Sequence, residues 1–347
     1  MCGIAGIVSL KPETLIGPML ESVEHRGRDD QGVWLSEPVD DSGRRVALGH
    51  RRLAIIDPTP AGHEPMLSPD GRFVLTFNGE IYNYRELREQ LRALGREFRT
   101  DSDAEVLLAV IAEWGWDGLS RLNGMFAFAV WDNRERTLTL VRDHVGIKPL
   151  YYASVPGEFV FGSEIKAILA SKLIAPRLNP EALHQFLTFL WAPDPNTLFE
   201  GINTVSPGHY VQFKNNEVKV TEWWDVSFDA IDEHKSDDYW QERVLETLDR
   251  VVKMEMVADV PLGAFLSGGI DSSGIVAMMD RHTDGRPIST YTAGIKSEDL
   301  HYDIIPDDVR WARIVNEQLL TDYHEIILQP SVAELLPKLV HHMEEPP

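Results

Sequence analysis

The sequence has little cysteine, little positive charge and no long hydrophobic run. A single cysteine among 347 residues allows no intrachain disulfide, which favours a reducing cytosol. The 33 basic residues are outnumbered by 55 acidic ones, and the formal charge of -22 argues against nucleic acid as a partner. No apolar run approaches the roughly 18–20 residues that cross a bilayer, and no secretory signal is visible. These absences predict a cytoplasmic protein that uses neither a membrane nor nucleic acid.

The first two hundred residues have the pattern of an antiparallel layered domain. Across residues 2–200 the apolar periodicity and the turn residues predict paired strands, with hairpins at 126–141 and 150–161. They also predict amphipathic helices at 84–94 and 104–114. Ser102 and Glu105 fit a capping box at the start of the second helix. Many antiparallel strands with a few helices predict an α+β fold.

A different pattern follows a segment that we interpret as a connector. Residues 201–235 contain clusters of Pro, Gly and Asn with one short hairpin at 210–223. Across residues 236–347, strands near 260–266, 288–293 and 323–328 alternate with helices. This alternation predicts an α/β domain built on a parallel sheet.

Cys2 is the first residue with a chemical interpretation. If Met1 is removed, Cys2 carries both a thiol and an α-amine with a pKa of about 7.7–8.0, so near neutrality the amine can accept the thiol proton. The other interpretation is a buried or incidental cysteine, a common fate for this residue. The position alone does not decide between the two.

Three further features are ambiguous when each is taken singly. The Asn78-Gly79 pair is typical of a type I′ hairpin turn, but it could also supply an amide and a backbone N–H to an oxyanion. Arg52 could be a surface strand residue. Asp103 could be an acid favoured by the dipole of the following helix.

Taken together, these segments resemble the N-terminal-nucleophile glutaminase domain of the class II amidotransferases. The resemblance covers the first two hundred residues. It is carried by Met1-Cys2-Gly3-Ile4-Ala5-Gly6, His25-Arg26-Gly27, Gly49-His50-Arg51-Arg52-Leu53, Phe77-Asn78-Gly79-Glu80-Ile81-Tyr82-Asn83, Ser102-Asp103-Ala104-Glu105, Arg142-Asp143, Gly146-Ile147-Lys148-Pro149-Leu150-Tyr151 and Ser163-Glu164-Ile165-Lys166.

The resemblance implies an αββα sandwich that hydrolyses glutamine to glutamate and ammonia. Cys2 would attack the side-chain amide, with its own amine moving the proton. The implied contacts are Asn78 and Gly79 for the oxyanion, Arg52 for the substrate α-carboxylate, and Glu80 with Asp103 for the α-ammonium.

The segment Ser267–Ser273 forms a second chemical centre between an apolar strand and a helix. Two glycines, three hydroxyls and a helix N-terminus suit an anion, although an ordinary Gly-rich turn fits the spacing equally well. No lysine follows in the Walker A arrangement. The string resembles the pyrophosphate loop of the ATP pyrophosphatases, in the version found in asparagine synthetases.

That resemblance implies ATP as a substrate, with Mg²⁺ bound mainly through the nucleotide and no certain protein-held metal. Phe265 and Ala293, at the ends of adjacent strands, would lie near the adenine. The implied pyrophosphate contacts are Ser267, Gly268, Gly269, Asp271, Ser272 and Ser273.

The two centres together predict a glutamine-dependent asparagine synthetase, in which ammonia amidates the adenylated β-carboxylate of aspartate. Residues 236–347 match only the opening of the synthetase domain, so we expect a truncated chain that hydrolyses glutamine but does not complete amide synthesis alone. The alternatives are a different carboxylate acceptor, or a chain that keeps only glutaminase activity or a non-catalytic binding role. A homodimer is a further implication of the resemblance.

Overall fold

The change from antiparallel to parallel strands divides the chain into two units, Met1–Ser227 and Phe228–Pro347. The computed structural model describes residues 1–228, 235–295, 307–328 and 331–344. None of the helices in these ranges is both long and apolar enough to span a bilayer.

Twelve strands and five helices make up the first unit, all of whose residues are described. The strands are β1 (Gly3–Ser9), β2 (Asp30–Leu35), β3 (Arg45–Arg52), β4 (Met66–Leu67), β5 (Phe73–Ile81), β6 (Gly124–Asp132), β7 (Thr137–Arg142), β8 (Tyr151–Val155), β9 (Glu158–Gly162), β10 (Asn203–Thr204), β11 (His209–Lys214) and β12 (Glu217–Glu222). The helices are α1 (Pro12–Ser22), α2 (Tyr84–Ala93), α3 (Asp103–Trp114), α4 (Ile165–Ala170) and α5 (Pro180–Phe189), with 3₁₀ turns at Glu24–Arg26, Pro60–Gly62 and Gly115–Arg121.

The strands form two six-stranded antiparallel sheets that face each other. One sheet has the order β10-β8-β9-β1-β3-β2 and the other the order β12-β11-β7-β6-β5-β4. Helices α1 and α4 pack on the first sheet, and α3, with α2 beside it, packs on the second. The predicted αββα sandwich is confirmed, and it places β1 and β5 in contact across the middle.

The core between the sheets comes from alternate residues of facing strands, because successive side chains of a strand point to opposite faces. Ile4 and Val8 of β1 lie in it with Ala127 and Ala129 of β6. The intervening Ala5 and Ile7 point the other way and pack with α1. The buried residues that fill the middle also include Val46, Leu48, Val74, Trp131, Leu138, Leu140, Phe159, Phe161, Val211 and Phe213.

Part of the segment that the sequence assigned to a connector belongs to these sheets. β10 pairs with β8, and β11 pairs with β7 over the register Tyr210↔Val141 to Phe213↔Leu138. The predicted hairpin at 210–223 is therefore the edge of the second sheet, because β11 supplies the hydrogen-bond partner that β7 would otherwise lack.

The second unit is a parallel α/β structure, as the alternating pattern predicted. Strands β13 (Gly263–Phe265), β14 (Ser289–Ile295) and β15 (Asp322–Leu328) form one parallel sheet in that order. The predicted strand at 260–266 is thus shorter than expected. The helices are α6 (Asp237–Glu255), α7 (Ile270–Asp280), α8 (Asp308–Leu319) and α9 (Val332–Met343).

The predicted capping box at α3 is wrong in one half. Ser102 caps the helix, since its Oγ accepts from Ala104 N at 3.1 Å. Glu105 does not return the bond to Ser102; its carboxylate instead accepts from Thr100 N at 2.8 Å. The Ser102 N–H donates to the Thr100 hydroxyl oxygen at 3.2 Å. The N–H that Glu105 would bind in a capping box is therefore already bonded.

Candidate active site

Cys2 lies immediately before β1, and side chains from two distant segments hold its backbone. Arg26 donates from Nε to the Cys2 carbonyl oxygen at 2.9 Å, and its Nη1 donates to Glu164 Oε1 at 2.8 Å. Two residues along β1, Ile4 N donates to Ser163 Oγ at 3.0 Å. The segments around Arg26 and Glu164 therefore fix the strand end that presents the thiol.

The Cys2 side chain is half-buried, and its sulfur contacts the backbone of Leu53. Leu53 N donates to Sγ at 3.4 Å, and Sγ lies 3.6 Å from the Leu53 carbonyl oxygen. Burial raises the pKa of the thiol to about 11, and the charge of Glu64 acts in the same direction. The thiol is therefore protonated at neutral pH and needs a base. Burial lowers the pKa of the terminal amine, here that of Met1, and so favours its neutral, basic form.

The open edge of β5 forms one wall beside the thiol. β4 pairs with β5 only as far as Leu75, so later residues have no strand partner on that side. Side chains replace the missing strand: Phe77 N donates to Glu64 Oε2 at 2.7 Å, and Ile81 N donates to Asp103 Oδ2 at 2.9 Å. The N–H groups of Phe77 and Ile81 on this edge thus donate to carboxyl groups and not to a neighbouring strand.

Gly79 lies midway between those two residues, and its N–H therefore points to the same open edge. Its partner on β6 is Phe126, whose N–H and C=O both bind Asp143 and not Gly79. A Cβ at Gly79 would lie 2.2 Å from the Met125 carbonyl oxygen, so the close approach of β6 requires glycine. The orientation makes the Gly79 N–H available to an oxyanion.

Asn78 has a fully buried side chain, 0% exposed, with neither amide atom hydrogen bonded. Buried polar atoms are rarely left without partners, so an unsatisfied amide indicates a ligand position. The hairpin-turn alternative for Asn78-Gly79 is wrong, because both residues lie inside β5. Strand pairing with β6 outweighs the local turn preference of this dipeptide.

Arg52 lies at the end of β3 with its guanidinium held by backbone carbonyls. It donates to the carbonyl oxygens of Thr59 at 3.1 Å, Ile56 at 3.3 Å and Asp57 at 2.6 Å. Gly62 makes room for it, since a Cβ there would lie 2.0 Å from Nη2. All these acceptors are neutral, so the cation keeps its charge for a carboxylate in the pocket.

Asp103 begins α3 and is buried against the end of β5. Burial raises the pKa of Asp103 to about 7, and the nearby charge of Glu80 acts in the same direction. The Ile81 amide opposes this shift by donating to the carboxylate. An acid that is half ionised near neutrality gains from a cation beside it, which suits a substrate ammonium group.

One pocket brings together all six residues that the sequence proposed for the glutaminase site. The sequence indicated no catalytic or substrate-binding role for the other residues lining it, although Met1, Leu53, Phe77, Ser102 and Lys148 belong to the segments that carry the resemblance. The pocket is lined by Met1, Cys2, Arg52, Leu53, Ile55, Ile56, Glu64, Phe77, Asn78, Gly79, Glu80, Ser102, Asp103 and Lys148.

Lys148 reaches this pocket from a loop built by Arg142 and Asp143. Asp143 accepts from Ile147 N at 2.9 Å and Lys148 N at 3.0 Å. Arg142 donates to the carbonyl oxygens of Lys148 and Gly146 at 2.9 and 2.8 Å. Burial lowers the pKa of Lys148. The Arg142-Asp143 pair of the resemblance therefore shapes the loop that brings a cation to the site.

In the second unit, the Ser267–Ser273 segment forms a tight turn into α7, which begins at Ile270. Ser267 Oγ and Ser272 Oγ lie 3.0 Å apart, and Gly269 N donates to Ser267 Oγ at 3.3 Å. Gly268 has φ +77°, and a Cβ there would lie 2.4 Å from the Trp311 side chain. Glycine is therefore required twice over, by backbone conformation and by space.

Further residues of the predicted nucleotide site lie on or beside this turn. Asp271 is in the first turn of α7, and Ser273 Oγ is buried without a hydrogen-bond partner in the described part of the chain. Phe265 is 86% exposed at the end of β13 and pairs with Tyr291. Ala293 lies on the same face of β14 as Tyr291, inside the strand and not at its end.

The described residues were searched for groups of side chains able to bind a metal ion. Across residues 1–228, 235–295, 307–328 and 331–344, no group of three or more His, Cys, Asp or Glu is arranged to hold a metal ion.

Comparisons with known proteins match both units. A family model described as a glutamine amidotransferase domain matches residues 1–224, and one described as asparagine synthase matches residues 243–347. "Asparagine synthetase [glutamine-hydrolyzing] 3" of Bacillus subtilis is 34% identical over 360 residues, covering 99% of this chain and 56% of that protein. "Putative asparagine synthetase [glutamine-hydrolyzing] 2" of Methanocaldococcus jannaschii is 31% identical, covering 100% and 68%.

A solved structure supports the fold. The structure described as "the allosteric regulatory enzyme of purine biosynthesis" has a TM-score of 0.50 and 17% identity, covering 95% of this chain and 81% of that one. The chain spans about half the length of the first curated relatives that it matches, 56% and 53% for the two Bacillus subtilis proteins numbered 3 and 1.

Proposed function

Because the chain belongs to the glutamine-hydrolysing asparagine synthetase family, we propose that its first unit hydrolyses glutamine at Cys2 and that the ammonia serves asparagine synthesis. The observation that carries the proposal is the unpartnered Asn78 amide, buried in the same pocket as the Cys2 thiol. A nucleophile beside an unused amide donor is the arrangement that acyl transfer requires.

Hydrolysis proceeds through a thioester. After removal of Met1, the Cys2 α-amine takes the thiol proton, and sulfur attacks the carboxamide carbon of glutamine. Asn78 Nδ2 and the Gly79 N–H donate to the oxyanion. The intermediate collapses with return of the proton to the leaving nitrogen, which departs as ammonia. Water then attacks the γ-glutamyl thioester, giving glutamate and restoring the thiol.

Ionic contacts at the other end of the pocket would hold the amino-acid part of glutamine. Arg52 has its guanidinium fixed by three carbonyls and binds the α-carboxylate. Asp103 and Glu80, which line the same pocket, bind the α-ammonium. Opposite charges at fixed positions select an α-amino acid.

The second unit would bind ATP at the turn before α7. Ser267, Gly268, Gly269 and Ser272 shape a turn at a helix N-terminus, where backbone N–H groups favour phosphate. Asp271 and Ser273 complete the set, with Phe265 and Ala293 near the adenine. Mg²⁺ would accompany the nucleotide, and the acceptor would be the β-carboxylate of aspartate, activated as its adenylate.

Glutamate release from glutamine by the purified chain tests the hydrolytic half of the proposal. Asparagine, AMP and pyrophosphate formation from aspartate, ATP, Mg²⁺ and glutamine tests the synthetic half.

Because the thiol is single, we place the chain in a reducing cytosol, with a homodimer and no nucleic acid partner as further parts of the proposal. Absence of glutamate release from a folded chain that has lost Met1 would contradict the hydrolytic assignment.

Glutamine hydrolysis should weaken as pH falls through about 7. Asp103 is negative above its pKa of about 7 and neutral below it, so at lower pH it no longer attracts the substrate ammonium. We expect kcat/KM for glutamine to fall about tenfold per pH unit well below 7. Steady-state kinetics between pH 5 and 8 measures this.

Glutaramate, which is glutamine without its α-amino group, provides the control. It has no ammonium to lose, so the Asp103 contribution to the acid limb should disappear, while any contribution from the catalytic amine remains. Asp103→Asn should likewise flatten the limb for glutamine, at a lower rate. Identical acid limbs for glutamine and glutaramate would contradict the role of Asp103.

Gly268→Ala should weaken ATP binding at least about tenfold. The new Cβ would clash with Trp311 and force a positive φ on alanine, so the turn must shift. Calorimetry with Mg-ATP measures the affinity. Gly285→Ala is the matched control, because Gly285 has φ +79° but nothing within 4 Å of its Cβ position. Equal affinities for the two variants would argue against nucleotide binding at this turn.

A further inference from the structure

Glu64 is a buried acid in the Cys2 pocket for which the reaction above has no role. The residue is 5% exposed. If the β4–β5 pairing continued, Glu64 would lie opposite Phe77. The Glu64 side chain makes the contact in place of its backbone, since Oε2 accepts from Phe77 N at 2.7 Å. A Cβ at Gly32 would lie 2.0 Å from the Glu64 carbonyl oxygen, so β2 packs directly against this segment. Glu64 is therefore rigidly placed.

No lysine or arginine forms an ion pair with this carboxyl group in the described residues. The closest basic atom is His50 Nε2, 3.8 Å from Oε1, but this nitrogen donates to the Phe77 carbonyl oxygen at 3.0 Å. Burial lowers the pKa of His50 to about 3, so the ring is neutral. Arg52 forms no ion pair with Glu64, because it donates to three backbone carbonyls, although its charge partly opposes the rise in the pKa of Glu64. An unpaired buried carboxylate is costly, and burial accordingly raises the pKa of Glu64 well above its usual range.

The protonation state of Glu64 affects both the oxyanion donors and the Cys2 thiol. On β5 its hydrogen bond to Phe77 N lies one residue before Asn78 and two before Gly79, which are the proposed oxyanion donors. A negative charge there would oppose a developing oxyanion. The same charge would also hinder ionisation of the Cys2 thiol in the shared pocket. A neutral acid provides the hydrogen-bond acceptor without either penalty.

We propose that Glu64 is a positioning residue that works as a neutral carboxylic acid: it holds the Phe77–Gly79 edge of β5, and its ionisation suppresses the Cys2 nucleophile. The activity should consequently decline at alkaline pH when Glu64 ionises. This inference rests on the proposed glutamine hydrolysis at Cys2.

Several other groups titrate near Glu64, and replacing Glu64 alone separates its effect from theirs. Burial keeps His50 neutral, and Asp103, whose charge also raises the pKa of Glu64, is present in every variant. The charged or titratable groups around Glu64 are Cys2 with the terminal amine ahead of β1, Asp30 on β2, His50 and Arg52 on β3, His63, Glu80, Asp103 on α3, and Lys148.

The first measurement is the alkylation rate of Cys2 by iodoacetamide between pH 6 and 10, followed as loss of thiol. Cys2 is the only cysteine, so the rate reports this sulfur alone. Glu64→Gln keeps an acceptor for Phe77 N but cannot ionise. We expect the alkylation rate of Glu64→Gln to equal that of the parent within about twofold near pH 6. In the alkaline range the rate of the variant should exceed that of the parent by at least about threefold.

The second measurement is kcat/KM for glutamate release over the same range. Glu64→Gln should remain active to higher pH than the parent, with a similar rate near pH 7. Glu64→Ala leaves Phe77 N without an acceptor, so kcat should fall about tenfold, and the glutamine variant supplies the conservative rescue. Glu86→Gln, a change at an exposed glutamate of α2, should alter neither profile.

Two results would overturn the inference. Superimposable alkylation and activity profiles for the parent and Glu64→Gln would mean that ionisation of Glu64 does not reach Cys2. An inactive Glu64→Gln at every pH would mean that the carboxylate itself is needed. Failure of the proposed function looks different, since the parent would then release no glutamate while the alkylation profiles could still separate. Alkylation thus tests Glu64 independently of hydrolysis.

Discussion

Replacement of Cys2 by alanine should lower glutamate release by at least about 10⁴-fold. The proposed reaction passes through a covalent thioester, and no other thiol exists in the chain to take over. Stability should change little, because the hydrogen bonds of the sulfur are two long ones, at 3.4 and 3.6 Å, with the Leu53 backbone. Glutamate release and thermal unfolding, measured on the same preparation, check both expectations.

The control for this variant concerns the N-terminus. Alanine and cysteine are both small, so both permit removal of Met1, and intact mass should show the same processing in parent and variant. A folded, processed Cys2→Ala protein that retained more than about one hundredth of the parent rate would place the nucleophile elsewhere.

Replacement of Asn78 by alanine should lower kcat by about 10²–10³-fold, with a smaller change in KM. The Asn78 amide meets the substrate oxygen most strongly after that oxygen has become an oxyanion, so its loss affects the transition state more than binding. The same change should not reduce stability. Both amide atoms are buried without partners, and removing such atoms relieves about 1–3 kcal/mol each, which offsets the small cavity.

Asn83→Ala is a matched control with the opposite outcome. Asn83 Nδ2 donates to the Arg121 carbonyl oxygen at 2.9 Å, and its Oδ1 accepts from Asn123 N at 2.9 Å. Its loss should lower the melting temperature and leave kcat within about threefold. If Asn78→Ala unfolded earlier than the parent and kept its rate, Asn78 would be a structural residue and the oxyanion assignment would fail.

Local patterns were sufficient to predict most secondary structure. The hairpin at 126–141 appears as β6 and β7, and the helix at 84–94 as α2, because alternation and helical spacing reflect which faces are buried. Only the Glu105 half of the predicted capping box is wrong, because the sequence supplied a spacing and not the partner of Glu105. In the fold Thr100 competes for the same bonds.

The glutaminase residues were found from short segments, but two of their neighbours were not. Lys148 stood inside a quoted segment without a role, since only the Asp143 loop brings it to the pocket. Glu64 had no signal at all. Its place beside Phe77 depends on β4 ending early, which the sequence of β4 does not indicate.

The amino-acid sequence alone specifies the chemical groups of this protein: a single thiol at position 2, an amide, a guanidinium and two carboxyl groups in the first unit, and a glycine-rich turn before a helix in the second. Those follow from residue identity and local spacing. How these groups act depends on the packing of the folded chain. The open edge of β5 turns the Gly79 N–H outward, burial leaves the Asn78 amide unsatisfied, and desolvation shifts the pKa values of Cys2, Asp103 and Glu64. Hydrogen-bond direction and hydration depend on distant strands that pack together, so no local stretch of sequence contains them.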